Sequence, residues 1–256
     1  MPEPTLKLCV PQPEQAWSNS QLNSVTPCLE RLSASERVQW ALDYLPGQAI
    51  LTSSFGAQSA VMLHLVTSLK RDIPVVMIDT GYLFPETYVF VDALRERLSL
   101  NLKIFRSDLS PAWQEAKFGR LWEQGLEGIQ RYNQFNKVVP AARALQSLNA
   151  GSWFSGLRRS QSASRSKIRI VQTHQQDVVK VHPLADWSDR DIHAYLKTHD
   201  LPYHPLWEKG YVSIGDSHTS LPLDSDRNEE GTRFFGLVRE CGLHQPDRFT
   251  QPRSVE

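Results

Sequence analysis

Between about residues 33 and 200, short apolar runs alternate with stretches of helical periodicity, and nothing else in the chain restricts its fold as tightly. Runs at 49–52, 75–79, 102–105, 152–155, 168–172 and 178–182 have the length and bounding of strands, the last two reading as a pair. Between them lie helical patterns at 33–45, 60–69, 85–98, 111–124, 141–148 and from 188 onward. Ser33 opens the first with Glu36 three positions on, and Pro46-Gly47 stops it. Pro85 and Glu86 begin the third, and Arg95 and Arg97 sit at its negative end. Ser188 and Asp191 repeat the capping pattern. This order predicts an α/β fold, a mostly parallel sheet with helices on both faces.

The rest of the chain is less regular. Residues 1–32 carry five prolines among the first 30 positions and read as an irregular arm. Residues 33–215 form the α/β domain, and 216–256 a mobile C-terminal tail, rich at its start in Ser, Asp and Glu. Charge narrows the function classes: 28 basic against 28 acidic side chains argue against a nucleic-acid or membrane-surface binder. The uncharged run 44–69 contains too many polar residues to span a bilayer. The first residues lack a secretory signal pattern, so a cytoplasmic protein is expected. Three cysteines without a CxxC give no disulfide framework or zinc site; Cys9 and Cys28, in the arm, are taken as incidental.

Four segments could carry chemistry. Ser53, Ser54, Phe55, Gly56 and Ser59 lie in a loop that follows a strand and opens a helix, where backbone amides, hydroxyls and the helix dipole suit an anion. An ordinary strand–helix turn reads the same way, and both Walker A and GxGxxG spacing are absent. Asp79 and Thr80 end the strongest strand at the same sheet edge. Gly156, Arg158, Arg159 and Arg165 follow another strand, and arginine forks among serines fit phosphate or sulfate groups. Cys241 stands in a polar tail between Arg239 and His244, cations that favour a thiolate, although Glu240 opposes it. Each segment alone has an ordinary structural explanation.

Together, SSFGAQSAV, IDTGYLFPETY, FSGLRRSQSASR, WEKGYVSIGD and ECGLH, in that order, resemble the thioredoxin-dependent 3′-phosphoadenylyl-sulfate (PAPS) reductase family over about residues 33–244. The resemblance implies a PP-loop-like nucleotide-binding sheet and homodimers. It implies PAPS as substrate, held by the serine loop, by Arg158, Arg159 and Arg165, and by Lys137 and Arg233. Cys241 is the implied nucleophile, forming a thiosulfonate that reduced thioredoxin, or a glutaredoxin, resolves to sulfite. The related adenylyl-sulfate (APS) reductases carry an iron–sulfur cluster on four cysteines. Tyr132, Asn133, Asp216 and Thr219 occupy those places here, which implies no cluster, no bound cofactor and a preference for PAPS. Three alternatives remain: an APS reductase activity, a PP-loop ATP-using adenylyltransferase or thiolase, and a non-catalytic nucleotide-binding module.

Overall fold

The computed structural model describes residues 17–174, 178–224 and 229–234. A six-stranded sheet runs in the order β3-β2-β1-β4-β6-β5. Its strands are β1 (Gln48–Thr52), β2 (Pro74–Ile78), β3 (Asn101–Phe105), β4 (Ala150–Phe154), β5 (Val171–Thr173) and β6 (Val179–Val181). All neighbours are parallel except β5, which pairs antiparallel with β6 at one edge. The order reverses between β1 and β4, so the chain leaves those two strands toward opposite halves of the sheet. The crevice at such a switch point is where open α/β sheets bind ligands.

The helices are α1 (Asn19–Leu29), α2 (Ala34–Tyr44), α3 (Ala60–Leu69), α4 (Pro85–Leu98), α5 (Pro111–Phe118), α6 (Gly125–Asn133), α7 (Val139–Ser147) and α8 (Asp189–Thr198). Leu51, Val75, Met77, Phe154 and Val181 form one sheet face and pack with α2, α3, α4 and α8. Ile50, Val76 and Trp153 form the other and pack with Ala144 and Leu145 of α7. The expected capping boxes at Ser33–Glu36 and Ser188–Asp191 are both formed.

Four expectations need correction. The arm is not irregular where it is described: Ser18 and Gln21 cap α1, whose Leu22, Val25 and Leu29 are buried, and Pro27 falls in its last turn. Cys28 on that helix is disulfide-bonded, so it is not an incidental thiol. The helix expected over 111–124 ends at Phe118, because Gly119 turns to φ 70° and a short 3-10 turn follows. Finally, the tail does not begin as a loose connector. Asp216, Thr219 and Ser220 are buried, and Leu83 and Asp216 form an antiparallel bridge.

Candidate functional site

The loops at the carboxyl ends of β1, β2 and β4 converge on a cavity of about 380 Å³. The first loop turns sharply. Phe55 adopts φ 50° and is fully buried, while its N–H donates to Ser53 Oγ at 3.1 Å. A left-handed backbone at a bulky residue costs about 1–3 kcal/mol and persists only where packing enforces it. Here the buried ring supplies that packing. Ser53, Ser54, Gly56 and Ser59 then line the cavity. Ser59 is the N-cap of α3 but makes no capping bond, and its buried hydroxyl has no hydrogen-bond partner among the described residues. A hydroxyl left without a partner at a helix N-terminus is suited to an incoming anion.

From the other half of the sheet, Gly156, Arg158 and Arg165 face the same space. Gly156 sits against α3, where an added Cβ would come into van der Waals contact with Met62 Cβ at 3.4 Å. Arg158 is nearly buried and donates to Gln58 Oε1 at 2.9 Å and Asp189 at 2.8 Å.

Residues 204–220 roof the crevice. His204 N–H donates to Ala57 carbonyl oxygen, and Leu206 and Ile214 pack on Ala57. This roof delivers Asp216, which accepts from Thr80 Oγ1 at 2.5 Å and from Lys137 Nζ at 2.6 Å. Burial pushes the Asp216 carboxyl up, but the Lys137 charge, the bonds from Lys137 and Thr80, and the Arg233 charge outweigh it and hold it at about 2. Lys137 is presented by a π turn, Gln134–Val138, between α6 and α7, an irregularity common at functional positions. Arg233 lies flat on Gly215, where any Cβ would meet its Nη2 at 2.2 Å. Glycine at 215 is therefore what admits the guanidinium.

Of the residues expected to bind substrate, Ser53, Ser54, Gly56, Ser59, Thr80, Lys137, Gly156, Arg158, Arg165 and Arg233 line this one cavity. Three do not. Phe55 is a core residue that shapes the loop. Asp79 is buried beside the site, where it accepts from Gly81 N–H, Tyr88 Oη and Arg106 Nε. Arg159 points away, to Glu30 and the Ile168 carbonyl oxygen, because Arg158 is extended (φ −128°, ψ 148°) and successive side chains then diverge. Cys241 and His244 lie outside the described residues.

Sequence reasoning missed Asp216 as the partner of Lys137, Asp189 and Gln58 as partners of Arg158, and Ser155 as a lining residue. Asp189 was legible only as the start of α8, and no local pattern links 216 to 137.

A further cluster adjoins the roof. Tyr132 is buried, and Trp122, Tyr82 and His218 pack against it, with ring centroids of Trp122 and His218 3.8 Å apart. Burial lowers His218 to about 4, so this ring is neutral. Among the described residues, no group of three His, Cys, Asp or Glu side chains could hold a metal ion, and no helix is long and apolar enough to cross a membrane.

Fold and site together define an α/β protein of PP-loop-like fold, with a switch-point crevice lined by cations. Comparison with known proteins narrows this. Residues 48–222 match the family model described as phosphoadenosine phosphosulfate reductase domain. A phosphoadenosine 5′-phosphosulfate reductase of Zymomonas mobilis is 59% identical over 94% of this chain and 97% of its own length. The crystal structure of a phosphoadenylyl-sulfate reductase from Candida auris, as a phosphate complex, superposes with a TM-score of 0.71 at 27% identity. It covers 81% of this chain and 100% of that one. The FMN adenylyltransferase of Candida glabrata shares the fold alone, with a TM-score of 0.56 at 16% identity over 87% of this chain and 73% of that one. The chain belongs to the phosphoadenosine phosphosulfate reductase family and is an oxidoreductase.

Proposed function

We propose that this protein reduces PAPS to sulfite and adenosine 3′,5′-bisphosphate with reduced thioredoxin, as a step of assimilatory sulfate reduction. The observation that carries the reading is the convergence of Lys137, Arg158, Arg165 and Arg233 with the unpartnered Ser59 hydroxyl on one cavity at a helix N-terminus. Such a site neutralises several phosphate and sulfate charges at once.

In the proposed chemistry, the Cys241 thiolate attacks the sulfur of the sulfonate group. The bond from that sulfur to the bridging oxygen breaks, and its electron pair leaves with adenosine 3′,5′-bisphosphate. Loop amides and the cavity cations stabilise the charge on that leaving group. A thioredoxin thiolate then attacks Cys241 Sγ of the thiosulfonate, sulfite leaves, and the second thioredoxin thiol resolves the mixed disulfide. The two electrons come from the thioredoxin dithiol, and a glutaredoxin could supply them by the same route.

Preference for PAPS over APS follows from the number of cations available to a 3′-phosphate. Absence of an iron–sulfur cluster follows from Tyr132, Asn133, Asp216 and Thr219, none a thiolate. The active form is proposed to be a cytoplasmic homodimer.

The test is sulfite release from PAPS and reduced thioredoxin. The wild type should turn over, with kcat/KM for PAPS well above that for APS and no iron in the purified protein. Cys241→Ser should retain nucleotide binding and lose all but a few per cent of turnover. Turnover by Cys241→Ser at the wild-type rate would remove the nucleophile from the scheme. Binding without turnover by the wild type would favour the non-catalytic module.

A further inference from the structure

Ser155 follows β4 and lines the cavity beside Gly156, yet it is itself buried. Its N–H is fixed to the Val181 carbonyl oxygen at 3.0 Å. Its Oγ lies 2.8 Å from Nδ1 of His182, a fully buried residue next to the end of β6. His182 Nε2 is buried and has no hydrogen-bond partner among the described residues. The ring cannot carry a charge there. Burial and the positive charges of Lys180 and Arg165 outweigh a hydrogen bond from the ring to the Ser155 backbone and lower its pKa to about 3.

A neutral imidazole has one N–H, and the surroundings choose which nitrogen holds it. A proton on Nε2 would be a buried donor without an acceptor among the described residues, whereas Nδ1 has the Ser155 hydroxyl oxygen 2.8 Å away to receive one. The proton therefore sits on Nδ1, and Nδ1–H donates to Ser155 Oγ. This leaves the serine hydroxyl free to use its own hydrogen as a donor toward the cavity.

We propose that His182 is a positioning residue that fixes Ser155 as a hydrogen-bond donor to an acceptor oxygen of the bound nucleotide. The proposal rests on the reading of the cavity as a nucleotide site and adds a donor to its cations. Without His182, the hydroxyl could rotate and present a lone pair to the ligand's oxygens. With it, the group is set in one polarity before the ligand arrives, as preorganised sites require.

The experiment measures adenosine 3′,5′-bisphosphate binding by calorimetry, PAPS kinetics, and the nitrogen-15 NMR spectrum of the His182 imidazole in the wild type. Ser155→Ala and His182→Leu should each weaken binding roughly ten-fold, raising KM with kcat near wild type. The double variant should be no weaker than either single one, because both remove the same donor. His182→Asn, whose amide nitrogen reaches the Nδ1 position, should stay close to wild type. NMR should show Nδ1 protonated and Nε2 bare.

A proton on Nε2, additive single effects, or Ser155→Ala binding like wild type would each overturn the proposal. If His182→Leu does not fold, Ser155→Ala and the wild-type spectrum still decide it. A wild type that fails to bind the nucleotide at all overturns the functional reading together with this assignment. Normal wild-type binding that is indifferent to Ser155 overturns this assignment alone.

Discussion

On the side of the cavity built by the loop after β4, Arg158 is held by Gln58 and by Asp189, whose carboxylate is 74% exposed. On the opposite side, Lys137 is closed on Asp216, whose carboxylate is 1% exposed and has Thr80 as a second donor. The first cation can trade a hydrated partner for a ligand anion at small cost, because water receives the released carboxylate. The second cannot, because separating Lys137 from Asp216 would strand a charge in the interior. One wall is therefore adaptable and the other is structural, although both present a cation to the same space. Counting positive charges would miss that difference.

Breaking the structural wall should have the largest effect. Lys137→Ala leaves Asp216 buried without its ion-pair partner, and should destabilise the fold by about 3–5 kcal/mol, read as a lower midpoint in chemical denaturation. If stability is unchanged, the pair does not anchor this wall. Next comes its pH dependence. The Asp216 carboxyl is held below its ordinary value, so its stabilisation is complete above that value. It is lost as pH falls through about 4 toward 2, amounting to roughly 2 kcal/mol. Asp216→Asn should remove that slope, and a wild-type stability flat over this range would contradict the assignment.

Arg158→Ala tests the adaptable wall. It should weaken adenosine 3′,5′-bisphosphate binding about ten-fold or more, with a smaller loss of stability than Lys137→Ala. Equal losses of both would make the two walls alike. The smallest effect belongs to the neighbouring arginine. Arg159→Ala should cost under about 1 kcal/mol of stability through its half-exposed contact with Glu30, and leave nucleotide affinity unchanged. A loss of affinity there would bring Arg159 back among the ligand contacts.

The same contrast explains how much was legible in the sequence. The adaptable wall comes from loops whose chemistry is local: small residues after β1, and arginines after β4, each at the end of a legible strand. Ser33 with Glu36, Pro85, and Ser188 with Asp191 announced their helices because capping is a three-residue matter. The structural wall depends on contacts 136 and 79 residues apart in sequence, Thr80 to Asp216 and Lys137 to Asp216, which no periodicity encodes. Residues 204–220 roof the site through 3-10 turns and single bridges, so they showed neither strand nor helix period. Helix α1 had both a capping box and an apolar stripe, but five prolines concealed them. Phe55 and Arg159 were misassigned for one reason: adjacent residues in a loop face different ways, and one-dimensional proximity carries no direction.

The short pairing of Ser220 with Arg233, reinforced by the Leu221 N–H to Thr232 carbonyl bond of 2.9 Å, limits how far the rest of the chain can reach. It pins the chain at the rim of the cavity, with Phe234 fully buried just beyond. Six residues separate Phe234 from Cys241, and the seven Cα–Cα steps this makes span at most about 25 Å. Whatever path it takes, the thiol stays on a leash anchored at the substrate's doorstep. Confined to such a sphere, one thiol is present at an effective concentration on the order of 10 mM. In the proposed scheme, the step between the Cys241 thiolate and a nucleotide bound in the same chain is then intramolecular, and its rate does not depend on protein concentration.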